Sequence, residues 1–176
     1  MARPNFTNKF NPYLPPFYRS IIDKPFNGIA YRGIFLECLE MVSFKGLNIS
    51  KIVYPRDAFA TCIKDQFHLP PVWECECGFY SFKDLIDAQE YTVFHKGALV
   101  AEIELYGEII EHDIGYRSRE ISIKEIYIPK ICSYKHCSSN TSTIKIGVKD
   151  YGWRCEKHSL KGSTKLKDLK FEYIIQ

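Results

Sequence analysis

The stretch "FHLPPVWECECGFYSF", Phe67 to Phe82, sets Cys75 and Cys77 one residue apart, with His68 upstream. Cysteines at i and i+2 rarely reach disulfide geometry without strain, so a metal is the better partner. The remaining cysteines and histidines complete two sets of four. The first is Cys62, His68, Cys75 and Cys77; the second is Cys132, Cys137, Cys155 and His158. Each is a Cys3His shell of the kind that holds structural zinc, so two structural zinc ions are expected. In the second set, two cysteine-led pairs flank "SSNTSTIKIGVKDYGWR", a zinc-ribbon or treble-clef-like layout, with His136 as a rival ligand. The alternative for that set is unliganded surface thiols. For the first set it is a reactive redox pair, or a core cysteine beside an exposed histidine. Cys38 is left over in an apolar strand, where a thiol acts as a small hydrophobe. A full Cys3His shell has no open position, so neither set implies catalysis. The deaminase and H-E-x-x-H patterns are absent.

Other residues offer weaker chemistry. "EHDIGYR" gathers Glu111, His112, Asp113, Tyr116 and Arg117 at a hairpin end. Glu111 and His112 suit an acid–base pair, and His112 with Arg117 suits an anionic or heterocyclic ligand. The plainer reading is a polar turn in which Arg117 pairs with Glu111 and Tyr116 packs. Tyr31, Arg32, Trp73, Phe79 and Tyr80 offer an aromatic cage beside the first set, against ordinary core packing. Arg154, Lys157, Lys161, Lys165, Lys167 and Lys170 form a basic run suited to phosphates, or simply a solvated face. There is no P-loop, no G-x-S-x-G and no dinucleotide fingerprint.

Positioning these groups requires a sheet. "GIAYRGIFLECLEMVSF" predicts one or two strands broken near Glu40. "ALVAEIELYGEIIEH" sets Ile103, Leu105 and Ile109 against Glu102, Glu104 and Glu108, with Gly107 marking a bend or bulge. "REISIKEIYIP" alternates again, so 98–128 reads as a long antiparallel hairpin with one wet, acidic face. "YPRDAFATCIKDQ" predicts a short helix over 57–66. "SFKDLIDAQEY" predicts a second, N-capped by Ser81, with Leu85, Ile86 and Ala88 facing inward. The first metal set is then expected to clip the one helix to the other, Gly78 allowing the tight backbone between them.

Three parts follow: an extended arm over 1–26, excluded from a long helix by its prolines; an α+β core over 27–129 holding the first zinc; and a zinc-ribbon-like appendage with a basic tail over 130–176. The chain's 176 residues suit one domain with a small appendage, and a net charge of +3 does not by itself argue for nucleic acid. No apolar run is long enough to span a bilayer, and the N-terminus has no apolar signal core. The expected compartment is the reducing cytoplasm, where clustered thiols hold metal.

"CECGFY" (75–80), "GEIIEHDIGYR" (107–117) and "CSYKHC…CEKH" (132–158) together resemble a group of small, uncharacterised bacterial proteins. Those carry an upstream Cys and His, C-x-C-G-[IF]-Y, G-x-[VI]-x-E-H-x-x-G-Y-R, and a Cys-pair/Cys-x-x-His tail. The likeness spans about residues 28 to 158 and departs in the wider spacing of Cys132 and Cys137. It implies zinc binding and no activity. At the level of fold, the bent hairpin is similar to PUA-like barrels of the ASCH and EVE types, which often bind RNA or modified bases. The expected fold is a bent antiparallel sheet or PUA-like pseudobarrel with short helices. The expected function is a non-enzymatic zinc-binding module for nucleic acid or a nucleotide-like ligand. The alternatives are a protein-interaction adaptor using the ribbon and the aromatic arm, or an enzyme using Glu111, His112 and Arg117.

Overall fold

A long hairpin of two strands organises the chain in the computed structural model, which describes residues 20–21, 28–39, 42–47, 52–64, 67–146 and 151–176. The arm expected over 1–26 lies outside these, apart from Ser20–Ile21. In chain order the strands are β1 (Ser20–Ile21), β2 (Ile29–Cys38), β3 (Ser43–Gly46), β4 (Tyr54–Pro55), β5 (Asp57–Phe59) and β6 (Phe79–Phe82). Helix α1 (Leu85–Val93) follows, then β7 (Leu99–Glu111), β8 (Gly115–Ile128), β9 (Thr143–Lys145), β10 (Gly152–Arg154), β11 (Thr164–Lys165) and β12 (Tyr173–Ile175).

The expected hairpin is β7–β8, paired from Val100↔Tyr127 to Glu111↔Tyr116. Its inward residues Ile103, Leu105, Ile109, Ile121 and Ile123 are essentially fully buried. Each such side chain contributes roughly 1.5–3 kcal/mol of burial free energy. The register slips between Tyr106 and Ile109, where Gly107 has φ +73°, so the predicted bulge is present. An extra residue there bends the strand and sharpens its twist. The wet-face carboxylates are partnered: Glu104 with Lys124 at 2.8 Å, Glu108 with Arg119, and Glu102 with the Tyr127 hydroxyl at 2.8 Å.

β7 also pairs antiparallel with β2, and β2 meets β6 at Tyr31↔Phe82. β6 in turn pairs with β8. The pairings therefore run in a circuit, β2–β7–β8–β6–β2. β1 and β12 add at Ile110–Glu111 and Ile126–Ile128, the latter in parallel. One core cluster includes Ile34, Phe44, Leu99, Ile103, Leu105 and Ile121. A second joins Phe82, Ala88, Val100 and Tyr127 beneath α1.

Two helix expectations need correction. The segment 57–59 is strand β5, not helix: Asp57↔Ser122 and Phe59↔Glu120 pair it to β8. Alternation of exposed Asp57, buried Ala58 and exposed Phe59 fits a strand, and an open stretch of β8 was there to pair with it. α1 exists but begins later: Ser81 is a buried β6 residue, and Asp84 occupies the N-cap. Ala88 and Thr92, four apart, form the buried face, and Leu85 packs partly against it. Ile86 is exposed, contrary to expectation.

After Pro129 the chain forms a small antiparallel sheet in the order β10–β9–β11. Ile144 of β9 and Leu166 are buried in the main core cluster, and β12 returns to β8.

Candidate metal centres

The first centre is an excursion from one sheet edge. β5 runs along β8 down to Phe59↔Glu120, and the Ala60 N–H donates to the Arg119 carbonyl at 2.7 Å. Pairing resumes on the same neighbour at Phe79↔Ser118. Between these points the chain leaves the sheet and returns. Cys62 sits just past the departure, and Cys75 and Cys77 just before the return. Cys62 Sγ lies 3.6 Å from Cys75 Sγ, and His68 Nε2 lies 3.3 Å from Cys77 Sγ. All four ligand atoms lie within 4.8 Å of one another. The first set therefore clips a strand's end to the loop leading into β6, not helix to helix.

Hydrogen bonds fix the excursion from below. Arg117, with 0 % of its surface exposed, directs Nη1 to the carbonyls of Cys75 and Cys77 (the latter at 3.3 Å) and Nη2 to Val72 O at 3.0 Å. Arg119, two residues on, donates from Nε to Pro70 O at 3.1 Å. The Tyr80 hydroxyl donates to Glu76 O at 3.0 Å. Gly78, at φ +108°, closes the loop, and an added Cβ would lie 3.1 Å from Ser118 O. Burial pushes the Cys77 thiol up to about 11, so in the absence of metal it is a thiol at neutral pH.

The second centre joins the ends of two hairpin segments. Cys132 follows β8, Cys137 closes a turn in which its N–H donates to Tyr134 O at 3.0 Å, and Cys155 follows β10. His158 ends a 3-10 turn, Glu156–His158. Its Nδ1 lies 3.4 Å from Cys155 Sγ and 3.8 Å from Cys132 Sγ, and Cys137 Sγ lies 3.9 Å from Cys155 Sγ. These four ligand atoms also lie within 4.8 Å of one another. The Tyr134 ring stacks on His158 at 4.0 Å and 16°, with the Arg154 guanidinium 5.5 Å from the centre of the same ring. Hydrogen bonds from Ser139 bring the Cys137 thiol down to about 6, a thiolate ready for a cation.

A disulfide needs sulfurs about 2.05 Å apart, and none of these pairs is near that. A tetrahedral ion with metal–sulfur bonds of about 2.3 Å has sulfur–sulfur edges near 3.8 Å and sulfur–nitrogen edges near 3.6 Å. Both sets are built on that scale, so each can hold one metal ion. His136, exposed and at φ +59°, is outside both sets, as is half-buried Cys38 at the end of β2.

The other predicted residues do not converge on one site. Glu111 pairs with Lys83 at 2.5 Å, so the expected Arg117–Glu111 pair is replaced on both sides. Lys83 also lies 5.4 Å from the centre of the Tyr116 ring. His112 is buried to 1 % exposure in the β7–β8 turn, its N–H donating to Gly115 O at 2.8 Å. Tyr31 packs edge-on to Tyr127, and Phe79 is a core residue. Arg32 lies 5.4 Å from the Phe79 ring centre, donates to the Tyr80 carbonyl, and has its pKa lowered to about 10 by burial. Half-buried Trp73 lies within the excursion itself. Arg117 and Arg119 as holders of the metal loop were missed by sequence reading. Their signal was the i, i+2 spacing of two arginines on a strand opposite a glycine-closed cysteine loop.

No helix among the described residues is long and apolar enough to cross a membrane. No family model, no curated protein and no solved structure matches the chain.

Proposed function

We propose that this protein is a non-enzymatic, zinc-stapled module that binds nucleic acid through the lysine-rich segment after Pro129. The carrying observation is charge. Residues 130–176 hold ten Lys and Arg against four Asp and Glu, whereas residues 1–129 hold fourteen against seventeen. Lys157, Lys161, Lys165, Lys167 and Lys170 of that segment are all exposed. Clustered cations displace condensed counterions from phosphates, which supplies affinity without reading sequence. The second centre, with Ile144 and Leu166 in the core, supports this face as a fixed one. Zinc is the ion of choice because three thiolates and an imidazole at tetrahedral spacings suit it, and such centres persist in the reducing cytoplasm. In this reading the strand circuit is a PUA-like pseudobarrel over 27–129, and 130–176 is its ribbon-like appendage.

The test is fluorescence anisotropy with labelled single-stranded RNA and duplex DNA, from about 50 to about 300 mM salt. Log affinity is expected to fall linearly with log salt, and Lys165→Glu with Lys167→Glu to flatten the slope by about one to two units. No binding to either probe at low salt sinks the reading.

A second reading, a protein-interaction adaptor, is favoured by one observation. Ile63, Phe67 and Leu69, neighbours of the first centre's ligands, are 74, 99 and 67 % exposed. Exposed apolar side chains become a contact surface where they gather, and these three flank ligands of one centre. In that case Phe67→Ser and Leu69→Ser abolish complex formation while leaving salt-dependent nucleic-acid binding unchanged.

A further inference from the structure

Arg117 is a cation with no exposed surface. Its hydrogen bonds run to neutral groups, the carbonyls of Val72, Cys75 and Cys77 and the Tyr80 side chain. The Tyr80 ring centre lies 5.8 Å away. Among the described residues, no carboxylate forms an ion pair with it. Burying a charge without a counter-charge costs several kcal/mol, even when neutral acceptors surround it. Two of its acceptors are carbonyls of metal-ligand residues, so the guanidinium is hydrogen-bonded to the backbone that carries two of the four ligands. A divalent ion held by three thiolates and a neutral imidazole carries a net charge of minus one.

We infer that Arg117 is the fixed counter-ion of the first centre, a positioning residue whose charge balances an anionic metal–thiolate complex that would otherwise be poorly solvated. This rests on the reading that Cys62, His68, Cys75 and Cys77 hold a divalent metal. It goes beyond that reading by giving a reason for one buried arginine and by setting a charge requirement on the shell. The second centre differs: the Arg154 guanidinium reaches it through the Tyr134 ring, which stacks on His158. The two centres therefore have unequal electrostatic surroundings, and a change at residue 117 addresses one of them alone.

The experiment uses the full chain, with zinc competed against a chromophoric chelator and cobalt(II) as a spectroscopic probe of each tetrahedral thiolate shell. The unsubstituted chain is expected to take two equivalents. Arg117→Met is expected to keep the second centre's affinity and to lose about 10- to 100-fold at the first, the range typical for residues behind a metal shell. Arg117→Lys keeps the charge but not the forked geometry, and is expected to recover most of that loss. Cys77→His supplies an arm that keeps Arg117: it makes the shell neutral, leaves the buried guanidinium with no anion to balance, and is expected to weaken the first centre. Joined to Arg117→Met, it should weaken the centre less than the two separate losses combined.

Wild-type affinity at both centres in Arg117→Met overturns the proposal. So does an Arg117→Lys chain as weak as Arg117→Met, because a clamp acting by geometry alone would treat them alike. Should Arg117→Met fail to fold, the Lys and Cys77→His arms still decide: a large loss in Lys, or none in Cys77→His, overturns it. A chain that binds one equivalent, unchanged by Cys62→Ser, instead overturns the metal reading of the first set.

Discussion

At the scale of single residues, the two cysteine sets differ in their demand for protons. Cys77 is held up to about 11 by burial, while Cys137 is brought down to about 6 by Ser139. Metal binding must expel the Cys77 proton throughout the neutral range, whereas Cys137 has none to give above about pH 6. Zinc affinity at the first centre is therefore expected to rise more steeply with pH, by about one proton, between about pH 7 and about pH 8. Chelator competition on single-centre knockouts, Cys62→Ser and Cys155→Ser, measures both slopes; equal slopes refute the assignment. The sign in metal-free protein follows from the same groups. A lowered thiol pKa stabilises the fold above its unfolded value and loses that contribution as pH falls through about 6. The raised Cys77 stabilises below its unfolded value and loses that contribution as pH rises towards about 11. Gly78 is the other decisive residue. Its φ of +108° is strained for any side chain, and the new Cβ would press on Ser118 O, so Gly78→Ala should cost about 1–3 kcal/mol. Thermal unfolding of the metal-loaded chain checks this, and an unchanged midpoint would exclude a strained closure.

At the scale of elements, β7 and β8 carry most of what the sequence made legible. Period-two alternation over Glu102–Ile109 and Glu120–Lys124 predicted their buried faces, and a lone glycine predicted the bulge. Leu105→Ala, deep in that face, should destabilise by about 2–5 kcal/mol in chemical denaturation. The ligand sets were legible because residue type and spacing are local facts. β5 was not: three residues carry almost no periodic signal, and their state is decided by a vacant stretch of β8 some sixty positions away. Arg117 was misread for the same reason. Glu111 is its near neighbour in sequence, but the chain brings the carbonyls of 72–77 closer in space, and Lys83 takes the carboxylate. α1 was placed correctly but started too early, because Ser81 is a good cap in isolation and a better strand residue beside β8.

At the scale of the molecule, the segment after Pro129 does not hang free. Leu166 and Ile144 enter the main core, and the Gln176 N–H donates to Ile128 O at 3.1 Å. Leu166→Ala is accordingly expected to lower the stability of the whole chain by about 2–5 kcal/mol in one cooperative transition. Two separated transitions by circular dichroism, with the earlier one confined to the tail, would count against a shared core.

The way β5 and β6 lie end to end along β8 has a consequence for engineering. Ala60 and Phe79 meet adjacent residues of a single neighbour, so the intervening chain is a detachable cassette on an otherwise continuous ribbon. Replacing 61–78 by a short glycine–serine joint, with Arg117→Thr to spare the exposed strand a stranded cation, should leave the flanking strands of the sheet paired. The shortened protein would then take up one equivalent of zinc, and the same gap would accept foreign loops.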